Sequence, residues 1–351
     1  MGQEEIRGLL PVLELYLSNP LVIMMLEILL IFIKVVVVTL VVFSLPLPLT
    51  YMERKVAGHI QVRLGPMRVG PHGILQPLAD MIKLFFKEDI IPSKADPWLF
   101  RIAPVISMVP VFAVFATIPF GDKITIPFIN YEVSMYISDM NVGILYVLAI
   151  AGLSVYGIIL GGWASNSKYA LLGGLRSSAQ MISYELALSF ACIGVVMIVN
   201  SLSLVDIVKA QSGWHWNIFY QPVGFVIFFI AGLAEINRIP FDLPEDEGTL
   251  GAGYHSEYSS MRFAFFMLTE YVAMVSMSIL AVLLFFGGWN GPSFLPGIIW
   301  FVIKVVLCIY FFMWTRFTFP RYRYDQLMNI GWKVLLPLSL LNILITGLII
   351  I

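Results

Sequence analysis

Residues 178–200, SAQMISYELALSFACIGVVMIVN, run the length of a membrane crossing with a single charged side chain, Glu185. A helix rises 1.5 Å per residue, so ~20 residues cross the roughly 30 Å of bilayer hydrocarbon. Two other apolar stretches repeat the pattern: 221–240 carries Glu235 and 262–288 carries Glu270. A carboxylate at membrane depth is costly enough that it normally faces a bundle interior or a wet cavity and serves a proton or ion path.

Working outward, the whole chain has the composition this stretch implies. Of its 351 residues, 59% are hydrophobic and 12% charged, about half the charge of a soluble domain. Mean hydropathy is +0.89. A water-soluble core is excluded, and the fold class is an all-α integral membrane protein. Eight apolar stretches have crossing length, near 21–48, 99–119, 141–164, 178–200, 221–240, 262–288, 294–315 and 332–351. Without an internal repeat or linker, residues 1–351 read as one polytopic domain. Cys192 and Cys308, like the four scattered histidines, lack metal-ligand spacing, so no metal site is expected. The acidic N-terminus has no basic n-region of a cleaved signal peptide.

Lysine and arginine set the orientation. The loops after the odd-numbered spans hold fifteen of them, while the remaining loops and both termini hold Arg7, Lys123 and Lys209. The positive-inside rule places the odd loops on the cytoplasmic side and both termini outside. Within the first of these loops, PLADMIKLFFKED (77–89) spaces Leu78, Met81, Ile82, Phe85 and Phe86 at a helical period. It reads as an amphipathic helix at the inner interface, with Pro77 at the first helical position. SLVDIVKAQ (203–211) is a weaker candidate for the outer surface. Glu27, Lys34 and Lys304 also lie in apolar stretches, with snorkelling or a structural partner as the plain alternative to a function.

Measured from the ends of these stretches, Glu185, Glu235 and Glu270 fall roughly 8–12 Å below the inner surface. The loop directly above, FDLPEDEGTLGAGYHSEYSSM (241–261), adds Asp242, Glu245, Asp246, Glu247 and Glu257. Crowded, buried carboxyls raise one another's pKa and exchange protons near neutrality, so loop and layer read as a proton or cation wire. The alternative is that each glutamate pairs with Arg238 or Arg262 and ties helices together. GPMRVGPHG (65–73) lacks the Lys-Ser/Thr of a phosphate-binding loop and reads as a turn framework.

Four blocks resemble a known family. They are YMERKVAGHIQVRLGPMRVGPHGILQPLADMIKLFFKED (51–89), WASNSKYALLGGLRSSAQMISYELALSF (163–190), AEINRIPFDLPEDEG with GYHSEYSSMRFAFFMLTEY (234–271), and TFPRYRYDQLMNIGWK (318–333). They are similar to the H-subunit family of bacterial NADH–quinone oxidoreductase, respiratory complex I, over roughly residues 25–350. The resemblance implies a membrane subunit at the junction of the hydrophilic and proton-pumping arms, forming much of the passage by which ubiquinone or menaquinone reaches its reduction site. It also implies NADH, FMN and iron–sulfur clusters in partner subunits, and a multi-pass position in the bacterial inner membrane (mitochondrial if the chain is organellar).

Position by position, the resemblance assigns Glu53, Arg54, Arg63, Asp80, Arg238, Asp242, Glu245, Glu247, Glu257, Arg321, Arg323 and Asp325 to the quinone cavity and acidic loop. It assigns Glu185, Glu235 and Glu270 to the proton relay. One departure is clear. The family's loop alternates three acids as P-E-x-E-x-E-L, whereas this chain reads P-E-D-E-G-T-L, with Thr249 in the third place. Two rival readings are a homologous subunit of a membrane-bound hydrogenase or ferredoxin-driven complex, and a stand-alone ion transporter. The transporter reading suffers from the absence of paired repeats with broken helices.

Overall fold

The computed structural model describes residues 20–126, 131–213, 215–242, 253–292 and 294–350. The chain divides into two units, residues 1–41 and 42–351. The described part of the first is helix, belonging to α1 (Pro20–Ser44). The second unit continues with α2 (Pro46–Ile60), α3 (Gln76–Phe86) and α4 (Pro97–Ala113). A two-stranded antiparallel hairpin follows, β1 (Lys123–Ile126) paired with β2 (Tyr131–Ser134). Then come α5 (Gly143–Gly152), α6 (Ser154–Ala164), α7 (Lys168–Val199), α8 (Leu204–Ala210), α9 (Asn217–Tyr220) and α10 (Pro222–Glu235). The chain ends with α11 (Ser260–Phe285), α12 (Gly297–Thr318), α13 (Tyr324–Asn329), a π-helical segment Ile330–Leu335 and α14 (Leu336–Ile350).

Among the described residues, seven helical stretches are long and apolar enough to cross a membrane: Glu27–Ile60, Pro97–Ala116, Gly143–Ala164, Lys168–Val199, Ser260–Phe285, Gly297–Thr318 and Tyr324–Ile350. The protein is therefore all-α and multi-pass. The expected span at 221–240 is instead a helix of 14 residues, stopping at Glu235. Its end has a local cause. Asn237 sits in the left-handed region at φ 54°, a conformation Asn tolerates better than most residues, and Pro240 follows, which cannot donate a helical hydrogen bond. Similarly, α7 starts at Lys168, ten residues before the expected boundary, because the Gly-Gly pair at 173–174 is carried inside the helix rather than ending it.

Helix α11 is the central element. Of its most apolar 18-residue window, 83% is buried, the largest share of any of the seven stretches. Its C-terminal end is fastened by side chains from other elements. The amide of Gln211 donates to Leu283 O at 2.8 Å and accepts from Gly287 N at 3.0 Å. Asn217 Nδ2 reaches Leu284 O at 2.8 Å. Lys304, in α12, donates its ammonium to the carbonyls of Phe286, Gly288 and Asn290 at 2.7, 3.0 and 2.5 Å. A helix terminus leaves carbonyls unsatisfied, and in hydrocarbon no water is at hand to take them, so Lys304 reads as a structural cap.

Close helix approach depends on glycine. A Cβ at Gly157 of α6 would overlap the backbone of Ser107 in α4. Small residues of this kind let membrane helices pack backbone to backbone. Helix α3 forms as expected, and its apolar side chains Leu78, Ile82, Phe85 and Phe86 are exposed, the disposition an interfacial helix needs. The weaker candidate forms α8, which buries Leu204, Val205, Ile207 and Val208 and exposes Asp206 and Lys209, with the Ser203 side chain capping its N-terminus by accepting from Asp206 N.

Candidate functional site

The bundle gathers a buried charge network from four separate parts of the chain. Glu53 on α2 is 8% exposed. Its carboxylate accepts a hydrogen bond from Tyr271 Oη at 2.7 Å and pairs with Arg316 of α12 and, at 3.8 Å, with Arg238. Arg238 continues to Glu270 of α11 at 3.3 Å, while its guanidinium lies 4.7 Å from the Tyr271 ring centre. Tyr254 Oη reaches the other Glu270 oxygen at 3.4 Å. One guanidinium thus serves two carboxylates, Glu53 and Glu270. A buried network of this type tolerates loss of a member badly, because the partner is left as an uncompensated charge.

Arg238 reaches this position because the chain stops being helical just before it. Gln180 of α7 donates its amide to Ala234 O and Phe241 O, both at 2.7 Å, and to Asn237 Oδ1 at 3.3 Å. Ser177 adds a second bond to Asn237 Oδ1 at 3.3 Å. These bonds satisfy the carbonyls freed where α10 ends and fix the turn that aims Arg238 inward. Past the turn, buried Asp242 pairs with Arg321 at 3.2 Å.

A cavity of about 40 Å³ lies beside the network, and its polar lining includes Ser107, Ser154, Glu235, Asn237, Thr269 and Glu270. Two of the three membrane glutamates therefore face one space. Glu185 does not line it. Its carboxylate sits against Gly152, where an added Cβ would meet it, and Gly152 is flanked by the cavity-lining Ala151. Glu185 is also close enough to Glu235 for their charges to interact. The grouping arises from the cavity and not from equal distance to helix ends. Glu235 is the last residue of α10, whereas Glu270 lies ten residues into α11 and Glu185 seventeen into α7.

Away from the network, Arg54 and Asp80 pair at 2.6 Å and join α2 to α3, with Gln76 donating to the second Asp80 oxygen at 3.2 Å. Arg63 is exposed and donates to its neighbour Gln61 at 2.7 Å. Arg323 and Asp325 are exposed at the start of α13, and Glu257 is half-buried. Glu245 and Glu247, with Asp246 and Thr249, lie outside the described residues. Arg316, Tyr271, Tyr254, Gln180 and Asn237 belong to the site, and sequence reasoning does not nominate them. The nearest signal for Tyr271 and Arg316 is their position, one beside Glu270 and one at an inner helix end.

His255, in the loop before α11, is buried with its ring 3.8 Å from that of Tyr254 and 5.3 Å from that of Phe266. Burial, reinforced by the positive charge of Arg238, pushes its pKa down to about 3. An unfolded histidine titrates near ~6.5, so between these values the unfolded chain binds the extra proton. Stability contributed by the neutral ring is complete above pH ~6.5 and is lost as pH falls toward 3, by at most about 1.4 kcal/mol per unit. Thermal inactivation of the detergent-solubilised complex is expected to accelerate from pH 7.5 to 5, and His255→Gln to flatten that dependence. An equally steep profile in His255→Gln would show that other groups carry it.

The comparisons with known proteins agree with this architecture. The NADH dehydrogenase family profile matches residues 33–347. The NADH-quinone oxidoreductase H subunit 2 of Rhizobium meliloti (strain 1021) is 61% identical over 315 residues, covering 90% of this chain and 95% of its own. The NADH-quinone oxidoreductase H subunit 2 of Geobacter metallireducens is 56% identical, with 90% and 94% covered. The corresponding H subunit of Syntrophotalea carbinolica is 51% identical, with 92% and 97% covered. The chain belongs to the NADH dehydrogenase family, in its H-subunit branch, and is thus a multi-pass membrane subunit of an NADH-quinone oxidoreductase.

Proposed function

We propose that this subunit walls the passage by which quinone reaches its reduction site and relays the resulting change of protonation into the membrane. The observation that carries the reading is Arg238, shared by Glu53 and Glu270. Reduction of a quinone to a quinol consumes protons as well as electrons. A protonation change felt at Glu53 alters how strongly that carboxylate competes for Arg238, and so how firmly Arg238 holds Glu270. Glu270 faces the cavity that also holds Glu235, and Glu185 is near enough to Glu235 for their charges to interact. The Arg54–Asp80 pair, Arg63, and the loop acids Asp242, Glu245, Glu247 and Glu257 belong to the inner mouth in this reading, with Arg321, Arg323 and Asp325 beside them.

With α10 counted as a short eighth crossing both termini lie outside, and the inner face docks the hydrophilic quinone-site subunits, whose NADH site, flavin and iron–sulfur clusters supply the electrons. Antiporter-like membrane subunits receive the relay, and the whole resides in the bacterial inner membrane. The names of the relatives, all quinone oxidoreductase subunits, favour this reading over a hydrogenase-linked complex.

The test uses Glu185→Gln and Glu270→Gln in the complete complex. Coupled quinone reduction and proton translocation are expected to fall sharply, while NADH oxidation by an artificial acceptor at the hydrophilic arm persists. Normal quinone-linked pumping in both variants would sink the relay assignment.

A further inference from the structure

We propose that Ile236 is an apolar gate that keeps two small hydrated compartments of the relay apart. The inference rests on the relay reading and adds to it the element that prevents a short circuit. The first compartment is the cavity of about 40 Å³ that carries Glu235 and Glu270. A second, of about 10 Å³, is lined by Glu53, Arg238 and Arg316 with the apolar Leu233, Met274 and Phe312. Ile236 lines both, and among the described residues no other does. It is 2% exposed, held in place by the Gln180 and Ser177 bonds to the adjoining turn.

Roughly 10–15 Å³ of this kind of space accommodates one water. The larger cavity therefore has room for about three waters, and the smaller is at the limit for one. Polar groups capable of binding them line both sides. Between the two lies the thickness of one hydrocarbon side chain, and apolar constrictions block conduction by excluding water.

One polar connection does cross the partition. The Arg238 guanidinium lines the smaller cavity, and its Nη2 reaches the Glu270 carboxylate, which lines the larger, at 3.3 Å. A guanidinium does not give up its proton in proteins, so this bridge transmits charge without passing a proton. Glu53 and Glu270 can influence each other across the wall while their waters stay unmixed. That separation is what a coupled device requires, because a continuous water file would let protons run back.

The experiment uses the complete complex in proteoliposomes carrying Ile236→Ala, Ile236→Val or Ile236→Leu. Quinone-linked NADH oxidation, the proton-to-electron ratio, and the decay of the pH gradient after turnover stops are measured together. In Ile236→Ala, turnover is expected to stay near wild type, the ratio to fall at least by half, and the gradient to decay several-fold faster. Ile236→Val is expected to show the same change in smaller measure, and Ile236→Leu to remain coupled. If Ile236→Ala does not assemble, the valine variant decides, since Ile→Val costs only about 0.5–1.5 kcal/mol. A wild-type ratio and decay in the smallest side chain that assembles overturns the gate. Glu270→Gln run in parallel separates the two readings. Normal pumping there removes the relay itself, whereas blocked pumping there with an unaffected Ile236→Ala removes only the gate.

Discussion

Arg238→Met is expected to destabilise the assembled complex by about 3–5 kcal/mol, the usual result of breaking a buried ion pair from one side. The side chain is 7% exposed and stands between the carboxylates of Glu53 and Glu270. Methionine fills much of the volume but leaves Glu270 facing Tyr254 and the cavity without its countercharge. Quinone-linked NADH oxidation should fall more than tenfold, and the thermal midpoint of the complex should drop. Arg238→Lys returns the charge without the planar fork that spans two carboxylates, so it should recover stability in part and coupling poorly. Combining Arg238→Met with Glu270→Gln removes the stranded charge. Stability should return while pumping does not, and that non-additivity is the signature of direct coupling. Full recovery of pumping in the double variant would reduce Arg238 to a packing role.

The second large effect is expected from Glu53→Gln. The amide can still accept from Tyr271, but it no longer neutralises Arg316 and Arg238, which both reach this carboxylate. The buried guanidinium of Arg238 and the half-buried one of Arg316 are left with one carboxylate fewer, at a cost of about 3 kcal/mol. Quinone-linked turnover of membranes should drop at least tenfold, with artificial-acceptor NADH oxidation unchanged. Adding Arg316→Met to Glu53→Gln should restore thermal stability by removing the excess cation. Wild-type quinone turnover in Glu53→Gln would place the carboxylate outside the functional path.

The helical membrane fold is legible in the sequence because apolar run length is a direct physical readout of bilayer thickness. The boundary at α10 is not, since hydropathy continues through Ile236 and Ile239 while the backbone has already left the helix at Asn237. What stops it is a conformational preference and a hydrogen bond from Gln180, fifty-four residues earlier in the chain. Glu53, Arg238 and Glu270 are candidates from sequence, and the structure brings them into one network. Arg316 counts there only as a topology charge, because a basic residue at an inner helix end fits the positive-inside rule whether or not it turns inward. Tyr271 gives no signal of its own in so aromatic a chain. A common layer of Glu185, Glu235 and Glu270 follows from span ends, yet helix ends do not mark one plane. The shared cavity, which no one-dimensional count reveals, relates Glu235 and Glu270, and Glu185 joins them through its nearness to Glu235.

The fastening of α11 at its C-terminal end has a mechanical consequence. Gln211, Asn217 and Lys304 hold the backbone between Leu283 and Asn290 from several directions. Glu270 lies about 20 Å away along the same helix, at 1.5 Å per residue. At its other end α11 is tied by the Ser260 hydroxyl to Leu84 O at 3.0 Å and by the Arg262–Asp89 pair at 2.9 Å, so it swings about the pinned end only together with that segment. A tilt of about 3° about that pin carries Glu270 sideways by roughly 1 Å, enough to lengthen a 3.3 Å contact with Arg238 past ion-pair range. In the proposed relay, the ammonium of Lys304 anchors a lever whose arm bears Glu270, and small movements of the Leu84–Asp89 segment would be converted into the making and breaking of one pair.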